Sequence, residues 1–482
     1  MKSILSYSGF IILGVFIWGV GNSQAETLHD AVHFMLQTNP EIRAVSFNRL
    51  ARDEEVTQAR SGYFPTLDVS SSYGVEKLND LSLPVDDKTY PKSTVLSLRQ
   101  NIFQGFATKY EVERQKSRVN SAAYLLQGTS ESIALRTSRV YLNVLRQLEI
   151  FELAKENVLT HQRIYDQIKL RSESGLDRKA DLDQVMGRLA LSESDVILTE
   201  ANVIDAKTDY QFTVGHMPED IIKPYSVDSF MPASVEDAEQ IALANYPILK
   251  SAQADIDARV AQYTVAKSNY YPKLDVAADH KWEEDVEYPE SYEEFTATAI
   301  VRFNLFNGWK DKARIAETYK LICEAREIRN NTHRQIVESI RLAWVAYQSS
   351  VGQLAYLENY VKATNITAEA FSKQWNIGRR TMFDVLDIEA ELINAKIDLV
   401  NAYYDKIFAQ YRILSGIGKL VHTLGLQWPL ESQVEEEVQI EVQVEETPDK
   451  DNSAAKDAKE QIKQSLNEYI KNPYDSLKII VS

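Results

Sequence analysis

Two hydrophobic rhythms alternate along this chain. From Leu274 onward the period is two: Leu274, Val276, Ala278, His280 and Trp282 fall on one face, and Asp275, Ala277, Asp279 and Lys281 on the other. The returning stretch sets Phe295, Ala297, Ala299, Val301, Phe303 and Leu305 against Thr296, Thr298, Ile300, Arg302 and Asn304. Leu67, Val69 and Tyr73, then Leu96, Leu98 and Ile102, show the same pattern earlier. This alternation predicts four strands, over about residues 66–76, 94–103, 273–282 and 295–306. Strands of about 10 residues with one apolar and one polar face are the signal of an outer-membrane barrel. A soluble two-faced sheet would alternate in the same way.

The second rhythm steps by threes and fours. Ile336, Ile340, Ala343, Tyr347, Val351, Leu354, Leu357 and Val361 form a coiled-coil-like seam. Between Gly308 and Trp375 there is no proline and one glycine, Gly352, so the stretch predicts a single helix of roughly 100 Å at 1.5 Å per residue. A matching stretch runs from Phe106 to Ser174. Rods of that length cannot fold around a core of their own and must pack side by side with other rods. Shorter helices begin at Thr27 and Ser234, which suit an N-cap, and end at Tyr63-Phe64-Pro65 and Tyr270-Tyr271-Pro272, because proline cannot continue a helix.

These matching stretches are one unit written twice. Asn39-Pro40-Glu41-Ile42 corresponds to Asn245-Tyr246-Pro247-Ile248, and the run Gln58–Val69 to Val265–Val276, both at an offset of 207 (247 − 40 and 272 − 65). Phe103-Gln104-Gly105 corresponds to Phe306-Asn307-Gly308, Gly175 to Gly378 and Asp181 to Asp384, all at 203 (308 − 105 and 384 − 181). The change of four falls between Pro272 and Phe306, where a loop between strands can shorten without disturbing a helix. The reading is a first repeat over 26–233, a second over 234–428 and a tail over 429–482. The tail interleaves Glu435-Glu436-Glu437, Glu441 and Glu445-Glu446 with valines and isoleucine and reads as disordered.

Composition narrows the class. Met1 to Ala25 reads as a secretory signal peptide: Lys2 precedes the apolar run Ile11–Trp18, and Ser23-Gln24-Ala25 supplies the small residues of a cleavage site. That run is shorter than the roughly 20 apolar residues of a membrane-spanning helix. The net charge of −17 argues against nucleic acid, which needs a basic surface. Cys323, the only cysteine, cannot form an intramolecular disulfide and reads as a small apolar filler. The seven histidines are scattered without a metal-ligand spacing, and Gly416-Ile417-Gly418-Lys419 lacks the spacing of a phosphate loop, so no enzyme, cofactor or metal is expected.

If the strands lie in a membrane, the chain cannot be complete alone. Open sheet edges do not persist in hydrocarbon, because each unpaired backbone group there costs several kcal/mol. Single-chain bacterial barrels need at least about eight strands, and this chain has four. Two copies would make eight and three would make twelve. A barrel of about eight strands is filled by its own side chains, so a conduit favours three or more copies.

Thr38-Asn39-Pro40-Glu41, the paired strand entries, the two Phe-x-Gly strand exits and the run Ile377-Gly378-Arg379-Arg380-Thr381-Met382-Phe383-Asp384-Val385-Leu386-Asp387 together resemble the TolC family of outer-membrane exit ducts, over about residues 26 to 427. The resemblance implies a mostly α fold with a β-barrel portion. Three protomers would share a twelve-stranded barrel that continues as a helical tunnel across the periplasm of a Gram-negative cell. Its closed tip would dock a periplasmic adaptor and an inner-membrane transporter in efflux or type I secretion. It places Gly175, Leu176, Gly378 and Arg379 in the tip turns that meet the adaptor, though glycine there also serves simply to turn the chain. It matches Asp384 and Asp387 to acidic rings that constrict the pore, and Arg380, Asp181 and Trp375 to a latch in which tryptophan stands where tyrosine is usual, facing Asp181. Three residues apart, the two aspartates share a helix face, which could equally be a solvated one. The alternative for the whole chain is a periplasmic coiled-coil adaptor without a pore.

Overall fold

The computed structural model describes residues 25–78, 87–175, 178–284 and 291–434. The signal-peptide reading, Leu176 and the tail from residue 435 lie outside the described residues, as do residues 285–290.

The first half runs α1 (Leu28–Thr38), α2 (Pro40–Arg60), β1 (Thr66–Tyr73), β2 (Glu76–Leu78), β3 (Asp87–Thr89), β4 (Lys92–Phe103), α3 (Ala107–Glu173) and α4 (Lys179–Val214). The second runs α5 (Val235–Asn245), α6 (Pro247–Lys267), β5 (Lys273–Glu284), β6 (Ser291–Arg302), α7 (Lys310–Asn376), α8 (Met382–Gly416) and the short α9 (Leu420–Thr423). Corresponding helices agree closely in length: 11 and 11 residues, 21 and 21, 67 and 67, 36 and 35.

Local chemistry sets these boundaries. Thr27 and Asp30 close a capping box on α1, and the Ser234 hydroxyl accepts from the Asp237 amide to start α5. Asn39 has two tasks. Its Oδ1 accepts from the Glu41 amide 2.9 Å away, while its Nδ2 donates to the Thr213 carbonyl at 3.2 Å. The start of α2 is thereby tied to the end of α4, so the two shorter helices stack end to end along the long rod α3. At both strand exits two successive residues take the left-handed conformation, Gly105-Phe106 and Gly308-Trp309. Gly105 cannot be replaced there, because a Cβ would lie 2.4 Å from the Ser268 carbonyl.

The main core sits at mid-height, where α1, α5 and α9 wrap the rods. Tyr141, Tyr210, Tyr404 and Tyr411 are fully buried in it. Each phenol is a large apolar body whose hydroxyl needs a partner. Tyr141 donates to the carbonyls of Glu26 and Ile222, Tyr210 to the Glu26 carboxylate and Tyr404 to that of Glu149. Glu131 of α3 is buried with them. Its carboxylate accepts from the amides of Leu420 and Val421 at 3.0 and 3.3 Å and from the Trp428 indole at 3.0 Å, holding the segment after α8 against α3. Burial pushes its pKa up to about 7, against the lowering effect of those three donors.

The main sheet is antiparallel in the order β1-β4-β5-β6, so β4 and β5 join the two halves, while β1 and β6 are edges. The register puts Leu67, Val69, Leu96, Leu98, Val276, Ala278, Phe295, Ala297, Ala299 and Val301 on one face. The other face carries Asp68, Ser97, Arg99, Asp275, Asp279, Thr296, Thr298 and Arg302, cross-linked by Ser97 donating to Asp279 at 2.6 Å and by an Arg302–Asp275 pair. Strand boundaries differ from the expectation: β4 begins earlier, at Lys92, β5 runs on to Glu284, β6 begins at Ser291, and two strands end early. β1 stops at Tyr73, where Gly74 donates to the Pro91 carbonyl and a separate β2–β3 hairpin follows. β6 stops at Arg302, because its partner β5 begins at Lys273 and leaves Phe303 to Leu305 nothing to pair with. On α7 the expected seam is buried at Ile336, Ile340 and Ala343, but Val351 is exposed. Among the described residues no helix is long and apolar enough to cross a membrane.

Candidate functional site

The far ends of the two helical hairpins form the candidate gate. α3 turns into α4 beyond Ser174, and α7 turns into α8 through Ile377–Thr381. Gly175 and Gly378 both have φ of 73°, and the Gly378 turn returns its amide to the Trp375 carbonyl and that of Arg379 to Gln374, both at 2.9 Å. Neither glycine has a heavy atom within 4 Å of where a Cβ would stand, so backbone conformation rather than crowding calls for glycine. Arg379 is exposed on the same turn.

Thr381 caps α8. Its hydroxyl accepts from the Asp384 amide at 3.3 Å and donates to the Asp384 carboxylate, which also accepts from the Thr381 amide. These bonds, and more weakly Arg380, hold the Asp384 carboxyl below the usual carboxylate range. Arg380 lies over the Phe371 ring at 3.9 Å, donates to Gln374 at 3.1 Å and stands 3.6 Å from Asp384. Asp387, one turn along, is 74% exposed and pairs with Arg188 of α4 at 3.3 Å. Asp181 sits in the first turn of α4.

Trp375 is placed differently from the expectation. It is 7% exposed, packed among Ile164, Ile168, Val185, Met382, Val385 and Leu386, with the Arg171 guanidinium 5.3 Å above its ring. No hydrogen bond joins it to Asp181 among the described residues. An indole has one donor on a large apolar body, so filling the gap between four helices outweighs reaching a half-exposed carboxylate.

Arg188 and His161 were not singled out from the sequence. Arg188 follows Asp181 by seven residues, hence on the same helix face, which is the one signal that could have found it. His161 is buried beside it, and burial, with Arg188 adding to it, lowers its pKa. No group of His, Cys, Asp and Glu among the described residues could hold a metal ion.

Four strands with two unlike faces, joined to rods of 67 residues that end in the tip carrying Asp384 and Asp387, define a barrel-and-tunnel channel protomer. The outer membrane efflux protein family matches this chain over residues 31–215 and 239–419, and the chain belongs to that family. It is 24% identical to the outer membrane protein TolC of Escherichia coli K12 over 446 residues, covering 87% of each. With the outer membrane efflux protein BepC of Brucella suis it shares 22% identity over 406 residues, 84% of this chain and 88% of the relative. The Campylobacter jejuni CmeC outer membrane channel has the same fold, with a TM-score of 0.71 at 16% identity over 81% of this chain and 85% of that one. The protein is therefore a TolC-type outer-membrane channel of the efflux and secretion class, with a large helical periplasmic portion, and not an adaptor without a pore.

Proposed function

We propose that three copies of this chain close a twelve-stranded barrel and a continuous helical tunnel, which a periplasmic adaptor and an inner-membrane transporter open at its tip. The observation that carries the reading is the four-stranded sheet with two open edges, β1 and β6, since neither edge can face lipid unpaired. Helix surfaces support it. α4 leaves Met186, Ile197, Ile204 and Phe212 exposed along one stripe, and α7 leaves Leu342, Val345 and Tyr356 exposed along another. Phe212 and Tyr356 are 84% and 80% exposed, and two such stripes against each other would bury both. In the barrel the Leu67–Val301 face meets lipid and the Asp275–Arg302 face lines the lumen.

At the tip, Asp384 and Asp387 of three copies set six carboxylates around the throat, which repel one another and favour cations. Arg380 and Asp181 face the boundary between neighbouring hairpins as the latch. Trp375 contributes by packing the tip rather than by hydrogen bonding. The turns at Gly175, Leu176, Gly378 and Arg379 are the adaptor's contact. Single-channel conductance in planar bilayers tests the gate: Arg380→Ser opens the throat and raises conductance. Unchanged conductance in both Arg380→Ser and Asp181→Ala overturns the latch.

A further inference from the structure

We propose that Arg188 sets the charge of the throat, acting as the counter-ion of Asp387 while the two hairpins of a protomer stand together. This rests on Asp384 and Asp387 lining the throat. The two aspartates are not equivalent. Asp384 is held by the Thr381 amide and hydroxyl and stands near Arg380, all within its own turn. Asp387 has no capping role, and its one partner among the described residues is the Arg188 Nη2, 3.3 Å from its Oδ1. That partner comes from the other hairpin: α4 belongs to the first half of the chain and α8 to the second.

The surroundings suit a single fixed cation. Burial and the nearby Arg188 guanidinium both disfavour a charge on His161, whose Nδ1 has no hydrogen-bond partner among the described residues. Higher up, the same two hairpins are joined through α3 instead of α4, where Glu156 approaches Lys396 at 4.0 Å and Arg146 meets Asp405 at 2.5 Å. Arg188–Asp387 is the lowest of the three and the one at the candidate throat.

Magnitudes decide which role it has. An exposed, solvent-screened ion pair adds too little stability to hold a gate shut. A unit charge per protomer at a narrow throat acts instead on the ions that pass, because the low-dielectric walls focus its field. With Arg188 paired, each ring has a cation beside it, Arg380 at Asp384 and Arg188 at Asp387, but only Arg380 belongs to the same turn as its carboxylate. When the hairpins part, three Asp387 carboxylates are unmasked, so an open throat is more cation-selective than a closed one.

Reversal potentials in a salt gradient across planar bilayers, on heat-modifiable oligomers of the full chain, test this. Arg188→Gln is expected to raise the cation-to-anion permeability ratio above that of the wild type, because it leaves the Asp387 ring without its counter-ion. Arg188→Lys keeps the wild-type ratio, and Asp387→Asn lowers it. The double variant returns the ratio toward wild type, since it removes one charge of each sign from every protomer. If Asp387→Asn shifts the ratio and Arg188→Gln does not, the proposal is overturned. If Asp387→Asn itself changes neither ratio nor conductance, the throat reading fails and the proposal with it.

Discussion

Glu131 and Trp375 are the residues whose surroundings most constrain them. Three N–H groups point at the Glu131 carboxylate, and a glutamine there would turn an NH2 toward donors, so Glu131→Gln should cost about 2–4 kcal/mol. The pH dependence has a definite sign. A pKa raised from the ordinary 4.5 to about 7 makes this group's contribution complete below pH 4.5 and lost as pH rises through 7. The stability gap between wild type and Glu131→Gln should therefore narrow between pH 5 and 8, by at most about 3 kcal/mol. Melting temperatures of both proteins across that range check it, and a widening gap would contradict it. Trp375→Ala empties the centre of the tip core and should cost about 3–5 kcal/mol of local stability, read as faster hydrogen exchange in Ile164–Ile168 and Val385–Leu386. Trp375→Phe keeps most of the apolar body and should exchange nearly as slowly as wild type. Neither role was legible beforehand. The partners of Glu131 lie some 290 residues along the chain, and burial of Trp375 depends on three other helices meeting it.

At the scale of elements, the sequence was far more informative. Period-two spacing located all four strands of the main sheet, and the absence of proline located both 67-residue rods, because each pattern sums many residues that agree. Boundaries were less legible. β1 is cut short by Gly74, and β6 by the start of its partner, which is a property of pairing rather than of the strand itself. The exposed stripes on α4 and α7 were also missed, since a face left free can be recognised only once the other faces are filled. They carry a prediction. Ile197→Asp places a charge in the middle of the α4 stripe, and should convert oligomers to monomers on detergent size-exclusion with light scattering, leaving helicity by circular dichroism unchanged. Oligomers that survive Ile197→Asp and Phe212→Asp together would show that the stripe is not an interface.

For the whole molecule, an acidic chain with two rods and half a dozen strands is stable only as part of something larger. The lipid-facing side of the sheet requires membrane, its open edges require more strands, and the helix stripes require neighbouring helices. One arrangement meets all three demands, a closed barrel continued by a closed ring of helices. Membership in the outer membrane efflux protein family agrees with the barrel and with the cellular location, while strand count and lumen size favour three or more copies, of which the proposed assembly takes three. The most direct measurement is therefore the mass of the complex extracted from outer membranes in mild detergent, by native mass spectrometry. Three copies of the chain in one heat-modifiable particle are expected. A monomer or dimer in the detergent extract, or recovery in the soluble periplasmic fraction, would contradict the account.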